Sequence, residues 1–322
     1  VSVAVLAPGL LTTVQDQGRC GSRHLGVGSA GALDAYSHAI ANLLVGNAID
    51  APTLEITLIG PRLRSDQPMQ IAICGADIDA RVDDVAVPGW RPVWLPANTT
   101  LTLGACRRGA RAYLAVAGGV VVPCVLGSAS TDLRGGFGGF RGRALVAGDV
   151  LEIVPVLLDV ADSAVADVCV APWWIDPAPD LEFRWPTIIH VVPGSDATAP
   201  NDALFANVWR AASASDRQGL RLEGDPLQPQ DPRERLSEPV APGAIQLPPD
   251  GRPIVLLADA QTHGGYPRIG YAIRADWPRL AQLRPGDALR FMPCTQGEAR
   301  LAWESQAQRL ARIALAIAAR MP

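Results

Sequence analysis

The sequence contains no lysine, so all 28 basic residues are arginine. That excludes from this chain a P-loop lysine, a Schiff-base lysine for pyridoxal phosphate and the lysine to which biotin is attached. No covalently bound cofactor is therefore expected, and chemistry driven by ATP or carried on biotin needs another chain. The six cysteines (Cys20, Cys74, Cys106, Cys124, Cys169 and Cys294) form no Cys-x-x-Cys pair and have no histidine at metal-ligand spacing. Reduced, mostly buried thiols are expected, with Cys20 in a polar loop as the exposed one, and no metal site. No apolar stretch reaches the roughly 18 to 20 residues a membrane helix needs. The opening residues 1–8 lack the basic start and apolar length of a secretory signal. A cytoplasmic protein without membrane contact is the expectation. With a formal net charge of -4, the chain also lacks the basic excess of a nucleic-acid binder.

What is present is a globular composition, 322 residues long and 48% hydrophobic, enough for two ordinary domains or one large one. Short apolar or alternating runs dominate the first half. Leu54-Glu55-Ile56-Thr57-Leu58-Ile59, Gln70-Ile71-Ala72-Ile73-Cys74, Thr100-Leu101-Thr102-Leu103 and Arg111-Ala112-Tyr113-Leu114-Ala115-Val116 each close on turn residues, which predicts a mainly β sandwich or barrel. The Ala-, Asp- and Pro-rich stretch 157–185 interrupts this rhythm, and similar strands resume at Thr187. Two all-β units follow from that division: residues 1–160, a crossing at 161–185, and residues 186–297. Tyr36, Ile40, Leu43 and Leu44 recur at helical spacing behind Asp34 as N-cap and predict a helix ending near Gly46. A short helix is expected from residues 203–209. The Gly- and Pro-poor residues 298–322 read as an amphipathic C-terminal helix, a cover for the molecule's own sheet or an interface.

Two polar segments stand out. Asp259-Ala260-Gln261-Thr262-His263-Gly264-Gly265-Tyr266-Pro267 follows directly on the apolar run Ile254-Val255-Leu256-Leu257-Ala258, which brings many hydrogen-bonding groups to one rim. A tight turn whose side chains cap their own backbone is the plainer alternative. A long glycine-rich loop, from Gln15-Asp16-Gln17-Gly18-Arg19 to Gly31-Ala32-Leu33-Asp34, is of the length that is usually functional inside a compact domain.

These stretches, with Tyr113-Leu114-Ala115-Val116-Ala117-Gly118-Gly119, Leu126-Gly127-Ser128-Ala129-Ser130-Thr131, Ser215-Asp216-Arg217, Ser237-Glu238-Pro239-Val240 and Gly243-Ala244-Ile245-Gln246, resemble one family. It is the carboxyltransferase subdomain A and B family, also known as allophanate hydrolase subunit 2 or KipA, which includes the C subunit of bacterial 5-oxoprolinase. The resemblance implies two cyclophilin-like β-barrel units in tandem with few helices. It also implies a partner of the KipI or allophanate hydrolase subunit 1 type. As part of an ATP-dependent 5-oxoprolinase, such a chain would work with a 5-oxoprolinase A-subunit-like protein as well, and the assembled complex would use ATP to open 5-oxoproline to glutamate. The alternatives within the resemblance are a carboxyltransferase component of a biotin-dependent urea or amide carboxylase, and a KipA-like regulator that binds a kinase inhibitor. Three positions depart from the family pattern: Ala129 replaces an expected arginine, Gln218 a frequent methionine and His263 a frequent threonine.

Opening a small amide needs donors aimed at a developing oxyanion, an anion clamp and a group that moves a proton. The candidates for proton transfer are Asp16, Asp259 and His263. The candidates for binding substrate are Gln15, Arg19, Asp34, Gly118, Gly119, Ser128, Asp216, Arg217, Gln246, Gln261, Thr262, Gly264, Gly265 and Tyr266. Several have structural alternatives: Asp34 as a helix cap, Asp216 and Arg217 as an ion pair, and Glu55 as a buried organiser.

Overall fold

The structure, a computed structural model, describes residues 1–156, 167–179, 181, 183, 185–194, 196, 201–228 and 236–320. The expected crossing at 161–185 lies partly outside the described residues. The first half contributes strands β1 (Ser2–Ala7), β2 (Leu11–Gln15), β3 (Thr53–Thr57), β4 (Arg62–Ser65), β5 (Met69–Val82), β6 (Val85–Ala86), β7 (Val93–Leu95), β8 (Thr100–Val116), β9 (Val150–Glu152) and β10 (Cys169–Val170). The second contributes β11 (Thr187–Pro193), β12 (Trp209–Ala211), β13 (Gly219–Glu223), β14 (Glu238–Pro239), β15 (Ala244–Gln246), β16 (Ile254–Leu256), β17 (His263–Gly264), β18 (Arg268–Ala272) and β19 (Ala288–Pro293). The helices are α1 (Ala35–Leu44), α2 (Asn201–Ala206), α3 (Trp277–Ala281) and α4 (Gln296–Ala318).

The expectation of two tandem barrels is overturned. Among the described residues only the second half closes, in the order β11-β18-β15-β16-β13-β12-β19, with β19 returning parallel to β11. The first half is an open ten-stranded sheet, β10-β7-β5-β8-β4-β1-β9, with β2, β3 and β6 branching from it. A barrel needs one consistent stagger around its circumference. In the first half the circumference is not completed, because among the described residues the end strands β10 and β9 do not pair with each other, and the long β5–β8 pairing is bulged at three places between Gly75 and Ala80. The start of β8 pairs with β4 and its end with β3, so the sheet forks. The two layers of the fork enclose an aliphatic core that includes Val5, Val14, Ile56, Leu63, Ile71, Leu101 and Leu114. The barrel has its own core around Trp209, Ile245, Val255, Leu289 and Phe291, into which Leu33 of the first half inserts.

Local chemistry sets the helices. Asp34 caps α1, its Oδ1 accepting the Ser37 N–H at 2.9 Å. Thr295 and Glu298 form a reciprocal capping box at the start of α4. The short helix α2 stops before Trp209, whose ring is buried in the barrel core and which opens β12 instead. Helix α4 packs chiefly on α1 and the segment before α3 rather than over a sheet, leaving Leu301 and Leu315 exposed. Among the described residues no helix is long and apolar enough to cross a membrane.

Side chains from both halves bind them together. Gln282, just past α3, accepts the N–H groups of Ala110 and Arg111 at 3.0 and 3.1 Å and donates to the Asp34 carboxylate at 2.9 Å. Arg111 returns a hydrogen bond to the Ala281 carbonyl at 2.9 Å. Arg23 donates from the glycine-rich loop to the carbonyls of Val240 and Gln261 at 2.7 and 2.8 Å.

Candidate functional site

The polar segments meet where the two halves join. Strand β2 ends at Gln15, and its outer edge is covered by the loop after β8: Thr131 N donates to the Val14 carbonyl and Leu145 N to the Thr12 carbonyl, each at 2.9 Å. That lays Ser128-Ala129-Ser130-Thr131-Asp132 against Asp16. The Asp16 carboxylate accepts from Ser128 Oγ at 2.6 Å, Ser130 Oγ at 2.5 Å, Ala129 N at 2.6 Å and Gly18 N at 2.7 Å. Burial pushes its pKa up, but these donors outweigh it and hold the group below its ordinary value. Asp16 is thus a fixed anion whose lone pairs are largely spent, a poor proton acceptor. Gln15 is likewise engaged, donating to Thr13 and Thr131 and accepting from Gly31 N at 3.1 Å.

Arg19, only 2% exposed, reaches under the same loop. Its Nε donates to the Val125 carbonyl, its Nη2 to the Ser130 carbonyl, and its guanidinium lies 4.7 Å from the Phe137 ring centre. Its Nη1 is buried without a partner among the described residues. Asp132, which the sequence did not single out, acts on Arg19 electrostatically together with Asp16 and Asp259. Its Oδ1 organises the Arg134 and Gly135 N–H groups, and its Oδ2 lies on the side of Gly28, whose other neighbour is the Ala260 carbonyl.

Across the junction, Asp259 receives a bidentate grip from Arg217, Nε to Oδ2 at 2.9 Å and Nη2 to Oδ1 at 3.0 Å. Arg217 also donates to Glu55 and to the Gly31 carbonyl. Glu55 in turn accepts from Leu33 N at 2.9 Å and Tyr113 OH at 2.8 Å, and Tyr113 OH accepts from Asp34 N at 2.8 Å. Burial opposes charge on Arg217, yet Glu55 and Asp259 together keep it protonated. One guanidinium cannot neutralise two carboxylates, and burial, with Glu55 adding repulsion, leaves Asp259 above the ordinary carboxylate value despite Arg217. Arg217 therefore joins the halves and is not free to clamp a substrate anion. Asp34, fully buried, accepts from Ser37 and Gln282; burial outweighs those bonds and pushes it up to about 6.

The turn 259–267 folds over the outside of the barrel. Strands β14 and β17 pair as a two-residue ribbon, Glu238 with Gly264 and Pro239 with His263. Beneath it lies Gln246, whose neighbour on the strand, Ile245, points into the barrel core. Gln246 is 1% exposed, and its Oε1 accepts from Gln261 Nε2 at 3.4 Å. Its Nε2 has no acceptor among the described residues. Gly264 stands beside that amide: a Cβ there would lie 2.7 Å from Gln246 Nε2 and 3.5 Å from Gln261 Nε2. The missing side chain lets the Gln246 amide pack directly against the Gly264 backbone, a glycine cradle around an unspent donor. At its rim Thr262 Oγ1 lies 3.0 Å from Nδ1 of the exposed His263.

Other candidates fall elsewhere or are occupied. Gly118 N donates to Asn47 at 2.8 Å and Gly119 N to the Val116 carbonyl at 2.9 Å, both in left-handed conformation in a turn packed on Val154. Asp216 is exposed and caps the N–H groups of Gln218 and Gly219. Gly265 is half-buried and Tyr266 exposed at the end of the turn. Among the described residues, no group of three or more His, Cys, Asp or Glu is placed to hold a metal ion, and all six cysteines are free. Against the expected burial only Cys74 and Cys106 are buried, Cys124 and Cys169 being exposed along with Cys20 because they lie in a surface loop and an edge strand. Arg23 and Gln282 carry no mark in the sequence, and Ser130 belongs to the family-like stretch 126–131 without being among the site candidates. Ser130 alone had a local signal, its position two residues beyond Ser128 opposite Asp16.

The family model described as carboxyltransferase domain, subdomain A and B, matches residues 25–293. The C subunit of 5-oxoprolinase from Escherichia coli (strain K12) is 42% identical over 307 residues, 94% of each chain. Its counterpart from Haemophilus influenzae, also a 5-oxoprolinase C subunit, is 36% identical over 291 residues, 89% of each chain. Among solved structures, the Kluyveromyces lactis urea amidolyase superposes with a TM-score of 0.85 at 29% identity, covering 97% of this chain and 20% of that one. The chain thus spans a fifth of that protein's length.

Proposed function

Because the chain belongs to the carboxyltransferase subdomain A and B family, we propose that it is the C-type component of a bacterial 5-oxoprolinase, a hydrolase component that works only in complex. Its partners are a KipI-like B component and an A-subunit-like protein, and the assembled complex uses ATP. The similarity to two 5-oxoprolinase C subunits across almost their whole length supports this reading over a regulator without turnover. The single structural observation that carries it is the buried, unpaired Gln246 Nε2 beside Gly264. A buried amide donor without an acceptor is costly. A small cyclic amide whose carbonyl oxygen enters over Gly264 removes that cost and is held by the donor where negative charge develops as the ring C–N bond opens.

The remaining roles follow from what each group has left to give. Gln261 sets the orientation of the Gln246 amide. The Thr262 hydroxyl and the His263 imidazole form a linked pair at the rim, suited to passing a proton to or from the opening amide. Asp16, Arg217 and Asp34 act as architecture, fixing the loops rather than touching substrate. The test is reconstitution with the A-type and B-type proteins, followed by an assay of ATP-dependent glutamate release from 5-oxoproline. Activity that falls in Gln246→Ala is the expected result, and a folded three-component assembly without activity overturns the reading. The urea amidolyase match favours one second reading, a carboxyltransferase component acting on urea or a related amide. It predicts turnover only when a biotinylated carrier is supplied.

A further inference from the structure

A cavity of about 800 Å³, whose lining includes none of Gln246, Gln261, Thr262, His263 and Gly264, opens at the junction between the glycine-rich loop, α1, the end of β16, α3 and α4. Its walls are apolar, with Leu33, Tyr36, Leu43, Leu280 and Leu310 among them, and Trp277 and Trp303 also line it. A small cyclic amide would fill a minor part of this volume, which falls in the range of roughly 300 to 1,000 Å³ typical for larger organic ligands. The charges lining it are of one sign. Arg19, Arg23 and Arg274 contribute to the lining, and among the described residues no aspartate or glutamate does.

Among the described residues, none of the three arginines has a salt-bridge partner. Arg23 is half-buried, and its hydrogen bonds go to two carbonyl oxygens and the Ser29 hydroxyl, all uncharged. Desolvation of its guanidinium pulls its pKa down. Arg274 lies 4.3 Å from the centre of the Trp303 ring and 6.0 Å from that of Trp277, which keeps its cation at the mouth. Positive charge drawn partly out of water beside an apolar wall is unfavourable until an anion joins it.

We propose that this cavity binds an organic anion with an apolar body, a carboxylate on an alkyl or aryl frame, its head at Arg23 and Arg274 and its tail between α1 and α4. The site is distinct from the Gln246 cradle and does not depend on the reaction proposed above. Because Trp277 and Trp303 line it, binding is read from intrinsic fluorescence of the full chain. The probes are decanoate, 1-decanol and decylamine, each kept below its micellar concentration. Decanoate is expected to bind saturably and about tenfold more tightly than 1-decanol, with decylamine weakest. Arg274→Gln, at an exposed position, should weaken decanoate about fivefold, as expected for one exposed charge, and leave 1-decanol unchanged. Ala311→Trp, at an exposed lining position of α4, should fill the cavity and abolish binding of both, with an unchanged unfolding transition showing that the fold is intact. Equal affinity for decanoate and 1-decanol, or no saturable binding by any probe, overturns the proposal.

Discussion

Arg217 of the barrel half donates to Glu55 of the open-sheet half, a buried pair 162 positions apart in sequence. With its other N–H groups on Asp259 and Gly31, the arginine ties the site-bearing turn to the opposite half of the molecule. Removing it leaves two buried carboxylates facing each other. Arg217→Ala is therefore expected to lower unfolding free energy by about 3 to 5 kcal/mol, the usual cost of stranding a buried charge. The neighbouring Asp216→Ala, at an exposed turn, should cost under about 1 kcal/mol. Urea unfolding of the two variants checks this, and equal losses would contradict the assignment.

Gly264 is predicted to set affinity for substrate while contributing little to folding. Its φ lies outside the left-handed region, so Gly264→Ala meets no backbone penalty, but the new methyl would stand 2.7 Å from Gln246 Nε2. In the reconstituted complex, Gly264→Ala should raise KM for 5-oxoproline severalfold by filling the cradle. Gln246→Ala, which removes the donor itself, should lower kcat by roughly 10²-fold, typical of one lost oxyanion donor. Unchanged kinetics in the Gly264→Ala enzyme would show that substrate does not enter there.

Two contributions to the pH dependence of stability, from His38 and Asp34, oppose each other. Burial pulls His38 down to about 4, so between that value and the usual imidazole range the unfolded chain takes up a proton that the native chain refuses. Stability from His38 is lost as pH falls through that window. Asp34 is pushed up to about 6 by burial, so between the ordinary carboxylate value and 6 the native chain holds a proton that the unfolded chain has released. Stability from Asp34 is lost as pH rises. The two windows overlap, so these two contributions offset each other between about pH 4 and 6. His38→Gln keeps a hydrogen-bonding partner for Gln17 and removes the first contribution. Its stability relative to the parent should therefore improve as pH falls from about 6 toward 4, measured by urea midpoints across that range. A parallel offset at every pH would refute the assignment.

The legible parts of the fold were those set by local chemistry. Helix α1 announced itself through the Asp34 cap and the spacing of Tyr36, Ile40 and Leu44, and α4 through its lack of Gly and Pro. Closure of the first sheet was not legible, because it depends on which distant strands share β8, and the β4 and β3 pairings that fork it leave no local mark. The same limit applied to the site. The turn 259–267 and the loop around Asp16 stood out as polar segments, and the structure brings them to one junction. That Arg217 and Asp16 spend their hydrogen-bonding capacity internally, while Gln246 keeps a free donor, follows only from partners far away in sequence.

His263 is the position where departure from the family pattern meets the rim of the cradle. It is exposed, its Nδ1 lies 3.0 Å from Thr262 Oγ1, and its backbone pairs with Pro239. Replacement should therefore leave folding nearly untouched, within about 0.5 kcal/mol. A proton-transfer role makes a narrower demand. His263→Thr should reduce kcat for 5-oxoproline by about 10²-fold, the lower range for a general acid or base, and should remove one limb of the kcat against pH profile. Thr262→Val, which cuts the hydroxyl link but keeps the imidazole, should preserve that limb with a smaller loss. If His263 instead only shapes the entrance, His263→Thr will shift KM and the preference among cyclic amides while the pH profile stays intact. Measuring kcat and KM separately across pH for both variants therefore distinguishes a proton carrier from a specificity element at the same position.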